Sequence, residues 1–291
     1  VKGILLAGGR GTRLNPLTLA VSKQLLPVYN KPTIYYPLSI LMLAGIREIL
    51  VISTSRDLPA IKTLLGDGKF LGIEISYTIQ NEPNGIAEAL ILGEAFLNGS
   101  PVCLILGDNI FHGTDLTKLL EQSATLNKGA QIYAYPVQDP SRYGVVEFNS
   151  TKVISIKEKP LRPKSRHAVT GLYFYDQKVC GLAKSLKPSA RGELEITDLN
   201  NLYLAKGELT VKKMGRGVAW LDTGTFESLL SASEYVHTIE NRTGMMVGCV
   251  EEVAFHKGFI GFKDLENRAK KLSHSEYGKY LSRLVEENEI C

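Results

Sequence analysis

Residues 7–14, "AGGRGTRL", set three glycines and two arginines at the end of an apolar run. Glycine lets a main chain turn tightly and come close to a ligand, and loop N–H groups can point at anionic oxygens. Arg10 and Arg13 add positive charge, so the chemistry offered is phosphate binding. Two familiar phosphate loops do not fit. No G-x-x-x-x-G-K-[ST] string occurs. In G-x-G-x-x-G, Gly9 and Gly11 match but the third place holds Leu14. Two arginines suit a ligand with more charge than a bridging pyrophosphate, such as a triphosphate. Taken alone, "GGRG" reads equally as a glycine turn with its arginines in solvent. Lys23, in "SKQLLPV", is by itself a surface lysine.

Two aspartates share a second pattern. Asp108 ends the apolar run "VCLILGDN", and Asp222 ends "VAWLD" before a glycine turn. Ligands of open α/β sheets sit at the carboxyl ends of strands. Either aspartate alone reads as a turn residue. Together, beside a triphosphate loop, they make a two-carboxylate Mg²⁺ site, because Mg²⁺ takes a few hard oxygens and completes its shell with phosphates and water. His112 lies near Asp108, but imidazole is a poor Mg²⁺ ligand, so it reads as packing or surface, and His167 likewise. Trp220 is either core or the wall of a pocket. No Ser-His-Asp or Cys-His arrangement stands out.

These residues need a scaffold. "GILLA", "EILVIST", "IEISYTIQ", "VCLILGDN" and "AQIYAYPV" read as strands. They alternate with helix-like "IYYPLSILMLAGI", "LPAIKTLLGDG", "GIAEALILGEAFLNG" and "TDLTKLLEQSATLNKG", the last capped by Thr114 or Asp115. This rhythm predicts an α/β, Rossmann-like, mostly parallel sheet flanked by helices on both faces. After Val137 the strands "YGVVEFN", "KVISIKEKP" and "AVTGLYFYD" follow with few helices between, which predicts antiparallel pairing. Helices "KVCGLAKSL" and "LEITDLNNLYLAKG" come next, then strands "LTVKKM" and "VAWLD". From about Phe226 the chain reads as helical, in "FESLLSASEYVHTIEN" and "EYGKYLSRLVEEN". The expected division is a core over 1–230, made of a first part near 1–137 and a second near 138–222, and a helical extension over 231–291. That extension either forms an oligomer contact or packs on its own core.

Composition excludes several classes. The 291 residues are 44% hydrophobic and 22% charged, an ordinary globular balance. A net charge of +4 with scattered basic residues gives no nucleic-acid stripe. No apolar stretch approaches membrane-spanning length, and "GILLA" is too short for a signal-peptide core. Cys103, Cys180, Cys249 and Cys291 lie far apart without a C-x-x-C pair, so neither zinc nor a disulfide framework is expected, and a cytoplasmic setting is. There is no 20–50-residue repeat, nor a hexapeptide repeat in the tail.

G-G-x-G-T-R-L followed by S-K-x-L-L-P is a compound pattern. With "LGDNIF", "RYGVVEF", "EKPLRPKS", "AVTGLYFYD", "SARGELEITD" and "AWLDTGT" in order, it resembles the sugar-1-phosphate nucleotidyltransferases from Lys2 to about Leu230, and more loosely through the tail. The resemblance implies a Mg²⁺-dependent transfer from dTTP to glucose 1-phosphate, giving dTDP-glucose and pyrophosphate by in-line attack. It implies that the part near 1–137 takes the nucleotide and the part near 138–222 the sugar phosphate. It implies that Arg13 and Lys23 act on the reacting phosphates and that Asp108 and Asp222 hold Mg²⁺. Leu6, Gly8, Gly9, Gly11, Gln80, Gly85 and Asp108 would contact the nucleotide, with Gln80 reading the pyrimidine edge. Tyr143, Gly144, Glu158, Lys159, Val169, Arg191 and Trp220 would contact the sugar phosphate. Glu158 suits vicinal hydroxyls, because a carboxylate accepts two hydrogen bonds at once; "KEKP" alone would be a charged surface hairpin. The chain departs from the family pattern at Asn81, Glu82 and Glu88 near the base, and at Thr114 and His256. Long-tailed members are homotetramers with a second nucleotide-sugar site at subunit contacts, inhibited by dTDP-rhamnose, which implies both for this chain. Rival readings are UTP or another sugar phosphate as substrate, or a non-catalytic binding module. A nicotinamide-dependent oxidoreductase is disfavoured by the missing third glycine.

Overall fold

The computed structural model describes residues 1–150 and 152–289; Cys291 lies outside the described residues. The first half runs β1 (Lys2–Ala7), hairpin strands β2 (Pro27–Val28) and β3 (Lys31–Pro32), α1 (Tyr35–Leu43), β4 (Glu48–Ser53), α2 (Leu58–Leu65), β5 (Glu74–Ile79), α3 (Glu88–Leu92), α4 (Glu94–Leu97), β6 (Val102–Leu106), β7 (Asn109–Gly113), α5 (Leu116–Ala124) and β8 (Ala130–Pro136). The second half adds β9 (Gly144–Asn149), β10 (Lys152–Glu158), β11 (His167–Tyr175), α6 (Val179–Lys184), α7 (Ile196–Ala205), β12 (Leu209–Lys213), β13 (Val218–Asp222), α8 (Phe226–Thr243), α9 (Val250–His256), α10 (Phe262–Lys271) and α11 (Glu276–Glu289).

The main sheet is ordered β10-β9-β11-β6-β1-β4-β5, with β8 on β11 and β12 on β8. Strands β6, β1, β4 and β5 are parallel. Strand β11 runs antiparallel to β6, β8 and β9, and β9 to β10, so the antiparallel part lies where the strand-rich stretch after Val137 predicts it. Strands β1, β4 and β6 are apolar on both faces because helices cover both, while the edge strand β5 buries only Ile75. Along β1, Leu5 and Ala7 enter one core with α1, α2 and α5, while Ile4 and Leu6 enter another with α3, α6 and α7. Strands β4 and β6 alternate in the same way.

Four local expectations are corrected. "GIAEALILGEAFLNG" is two short helices that meet at Gly93, where a Cβ would stand 2.6 Å from Ile4 Cδ1; the chain needs glycine there to lie this close to β1. Asp115 is the residue before α5, but its φ is +61° and its side chain makes no capping bond. The run "VCLILGDN" is not one strand: β6 ends at Leu106, and residues 109–113 form β7, which pairs antiparallel with β13 and sets Asn109 opposite Asp222. The tail holds α9 and α10 in addition to the two expected helices.

The tail packs on its own core. Val250 and Ala254 of α9, Leu265 of α10, and Leu281 and Leu284 of α11 are buried in one cluster with Leu38 and Leu41 of α1. Helix α8 covers a third cluster through Ala232 and Val236, against Val28, Tyr36 and Ile110. Its buried Glu240 receives Lys31 Nζ at 2.6 Å, Asn30 Nδ2 at 2.7 Å and the Val247 N–H at 2.9 Å. The hairpin that follows Lys23 is thereby fastened to the longest helix.

Candidate active site

The carboxyl ends of β1 and β6 open onto two adjoining cavities of about 220 and 210 Å³, which share Ile86, Leu106 and Asp108 as walls. Strand β1 delivers the glycine loop, and β6 ends just before Asp108. In the smaller cavity stand Leu6, Gly8, Gly9 and Lys23, with Gln80 and Gly85 across from them. The larger holds Arg13, Tyr143, Gly144 and Glu158, then Lys159, Val169, Trp220 and Asp222. The residues expected to bind nucleotide and those expected to bind sugar phosphate therefore fall into separate compartments that meet at Asp108. Gly11 and Arg191 stand outside both linings. A Cβ on Gly11, at φ +63°, would lie 3.5 Å from Lys23 Cβ, so the loop turns against the lysine stem. Arg191 pairs with Glu195 at 2.8 Å and reaches Glu158 at 3.4 Å. Arg10 faces outward to Glu82 at 3.4 Å.

Lys23 Nζ lies 2.5 Å from Asp108 Oδ2, with both side chains mostly buried. Burial alone would push the Asp108 carboxyl up. The charge and hydrogen bond of Lys23, with the amide of Asn109, outweigh it and hold that carboxyl below the ordinary carboxylate value. The Tyr143 hydroxyl donates to Asp222 Oδ1 at 3.0 Å, and Arg142 Nη2 stands 3.6 Å from Oδ2. Burial, then the Asp222 charge, push the Tyr143 hydroxyl up to about 12, so it stays a donor near neutrality. The loop after β13 is tied to the other aspartate, because the Thr223 N–H donates to the Asp108 carbonyl at 3.1 Å. Glu158 Oε2 accepts from Thr197 Oγ1 at 2.5 Å. Lys159 has φ +40°, a left-handed conformation rare for a side-chain-bearing residue, and its N–H donates to the Tyr143 carbonyl at 3.0 Å.

Several site residues escape the sequence reading. Asn109 Oδ1 accepts from Trp220 Nε1 at 2.6 Å and from the Gly171 N–H at 3.1 Å, while Nδ2 donates to Asp108 Oδ1 at 2.9 Å. It orients a carboxylate and a cavity wall together. Trp220 is thus both core and pocket wall, nine-tenths buried. Arg142 is a further cation in the larger cavity, and Thr197 a further hydroxyl. A basic residue before "YG" was the available signal for Arg142; none marks Asn109. His112 is half-buried, with Nδ1 2.8 Å from the Tyr235 hydroxyl, the packing role expected of it.

The oxygens fit a small hard cation. Asp108 and Asp222 line one cavity, and among the described residues no group of three or more His, Cys, Asp or Glu side chains is placed to hold a metal by itself. Two carboxylates suit a cation that takes its other ligands from phosphate and water.

The nucleotidyl transferase family profile matches residues 2–239. Glucose-1-phosphate thymidylyltransferase of Neisseria meningitidis serogroup A is 56% identical over 286 residues, covering 98% of this chain and 99% of that one. The Mycobacterium tuberculosis enzyme of the same name is 52% identical over 289 residues, covering 99% and 100%. The crystal structure of a Bacillus anthracis protein in complex with sucrose matches with a TM-score of 0.75 and 44% identity, covering 80% of this chain and 94% of that one. UDP-glucose pyrophosphorylase complexed with UDP-glucose matches with a TM-score of 0.72 at 23% identity over 82% of this chain and 99% of that one, a likeness of fold. With the glycine loop, the strand-end aspartates and these full-length matches in agreement, the chain belongs to the nucleotidyl transferase family.

Proposed function

We propose that the protein transfers a thymidylyl group from dTTP to glucose 1-phosphate, giving dTDP-glucose and pyrophosphate. The observation that carries this reading is the pair of cavities meeting at Asp108. One is walled by the glycine loop and Gln80, the other by Glu158, Lys159 and Trp220. The named relatives supply the substrates.

Two polyanions must meet in line, so the work is neutralisation and alignment, with no covalent nucleophile. The glycine-loop N–H groups cradle the nucleotide phosphates. Arg13, whose guanidinium lies beside Gly224, holds the α- and leaving phosphates. Lys23, at the junction of the cavities, bridges the transferred and leaving oxygens. Lys159 holds the sugar phosphate and Glu158 accepts from sugar hydroxyls, with Arg191 steadying Glu158. Asp108 and Asp222 would hold Mg²⁺, which when bound neutralises phosphate charge as a Lewis acid.

The deciding experiment is a turnover panel with pyrophosphate detection, crossing several nucleoside triphosphates with several sugar 1-phosphates. The highest kcat/KM is expected for dTTP with glucose 1-phosphate. Uracil lacks only a methyl, worth about 1–3 kcal/mol in a pocket, so dUTP should be turned over with a kcat/KM about 10–200-fold lower. No turnover with any pair would favour the binding-module reading.

A cytoplasmic homotetramer is part of the same proposal. Cys103, Cys180 and Cys249 are free and buried. Phe226 and Leu230 of α8 are 45% and 60% exposed and share a helix face, which suits a subunit contact. Light scattering should return four times the 32.0 kDa chain mass; a monomer mass at micromolar concentration overturns the quaternary claim.

A further inference from the structure

Gln80 follows β5, and its side chain reaches the smaller cavity although it is only 5% exposed. An amide has a donating end and an accepting end, and the end facing a ligand decides which base edge fits. Here the donating end is turned away. Nε2 donates to Glu88 Oε2 at 2.7 Å and to the Gly85 carbonyl at 3.3 Å. A carboxylate and a peptide carbonyl are both acceptors only, so turning the amide over would set oxygen against oxygen at both contacts. Glu88 is itself held by Asn84, whose Nδ2 donates to Oε1 at 2.9 Å. Gln80 Oε1 then lies 2.7 Å from the place a Cβ on residue 8 would occupy. Only glycine leaves that oxygen room, and Gly8 lines the same cavity.

On the reading that this cavity takes the base of a pyrimidine nucleotide, we propose that Glu88 is a positioning residue for base selection: it fixes the Gln80 amide with Oε1 toward the nucleotide. Thymine and uracil present an N3–H donor between two carbonyl oxygens, and Oε1 accepts it. Cytosine presents a bare N3 lone pair, which Oε1 opposes. An amide free to turn would offer Nε2 to cytosine at little cost; the two fixed acceptors remove that option.

The test measures kcat/KM for dTTP, dUTP and dCTP with saturating glucose 1-phosphate and Mg²⁺, in the full-length wild type, Glu88→Gln and Glu88→Ala. Glu88→Gln preserves shape but can turn to suit either orientation of Gln80; Glu88→Ala removes the acceptor. In the wild type dTTP should be preferred over dCTP by about 10⁴-fold, the discrimination of a site built around one buried hydrogen bond. In both variants that preference should fall by about tenfold or more, with the change in the dTTP rate residing in KM more than in kcat. The dTTP to dUTP ratio should stay where it is, because both bases carry N3–H. If the dTTP to dCTP ratio does not move in either variant, or if both ratios move together, Glu88 only supports the local fold and the proposal is overturned. A wild type that turns over no thymine or uracil nucleotide, but uses a purine, refutes the underlying reading of the cavity, whatever the Glu88 variants do.

Discussion

Lys23 and Asp108 neutralise each other in a cavity wall where neither charge would be stable alone. Since the Asp108 carboxyl is held low in the fold, the stability it contributes is present above the ordinary carboxylate value of about 3.9 and is lost as pH falls through its lower folded value. In Lys23→Met, burial is unopposed, the carboxyl rises, and that site's contribution falls as pH climbs through the ordinary value. Thermal melts of both proteins should therefore diverge more at pH 7 than at pH 3.5; parallel curves would show that the pair is not coupled. Asp108→Asn and Asp222→Asn should each lower turnover by at least about 100-fold while the melting transition remains. Near-normal rates for both with Mg²⁺ would remove them from the metal site. At this scale the two aspartates were legible, because an apolar run closed by Asp is visible in one strand. Asn109 was not, since its role arises from Gly171 and Trp220, 62 and 111 residues away.

Helices and strands hold the site through a few fixed contacts. Helix α8 starts at a capping box, with the Ser228 N–H donating to Thr225 Oγ1 at 3.2 Å and the Thr225 N–H donating to Ser228 Oγ at 3.0 Å. Near its other end Glu240 clamps the β2–β3 hairpin, and with it the stretch that carries Lys23. Burial lowers the Lys31 ammonium from its ordinary value, with Glu240 acting against that push. Glu240→Ala should destabilise the protein by about 3–5 kcal/mol in urea unfolding, because it strands a buried ammonium. The double change Lys31→Met with Glu240→Leu should recover most of that loss; failure to recover would mean that the Asn30 and Val247 contacts matter more than the charge pair. The strands of the parallel half were readable because buried parallel strands are short continuous apolar runs, whereas their order in the sheet was not. Helix α10 was not, since "FKDLENRAKK" is charged over most of its surface and buries only Leu265 and Ala269. The need for glycine at position 93 was hidden as well: the atom a Cβ there would meet belongs to Ile4, from a strand almost ninety residues earlier.

Across the whole molecule, the tail is part of the main core. Burying Val250, Leu281, Leu284 and Val285 contributes roughly 6–12 kcal/mol by itself, comparable to the roughly 5–15 kcal/mol that separates folded from unfolded domains. A chain ended at residue 230 should lose its cooperative melting transition, and calorimetry showing a sharp endotherm would contradict this. The site is equally dispersed: its walls come from the glycine loop near one end of the chain, from Asp108 and Asn109 in the middle, and from Trp220 and Asp222 beyond residue 200. During synthesis a ribosome must therefore release the chain through Asp222 before the two carboxylates can line one cavity. The nascent chain can build the β1–β4–β5 portion early but has no means of turning over substrate. On dilution from denaturant, secondary structure read by far-UV circular dichroism should return first and catalytic activity with the slowest phase, as long-range pairing demands. A newly made molecule passes through a silent interval in which it already looks folded and is not yet an enzyme.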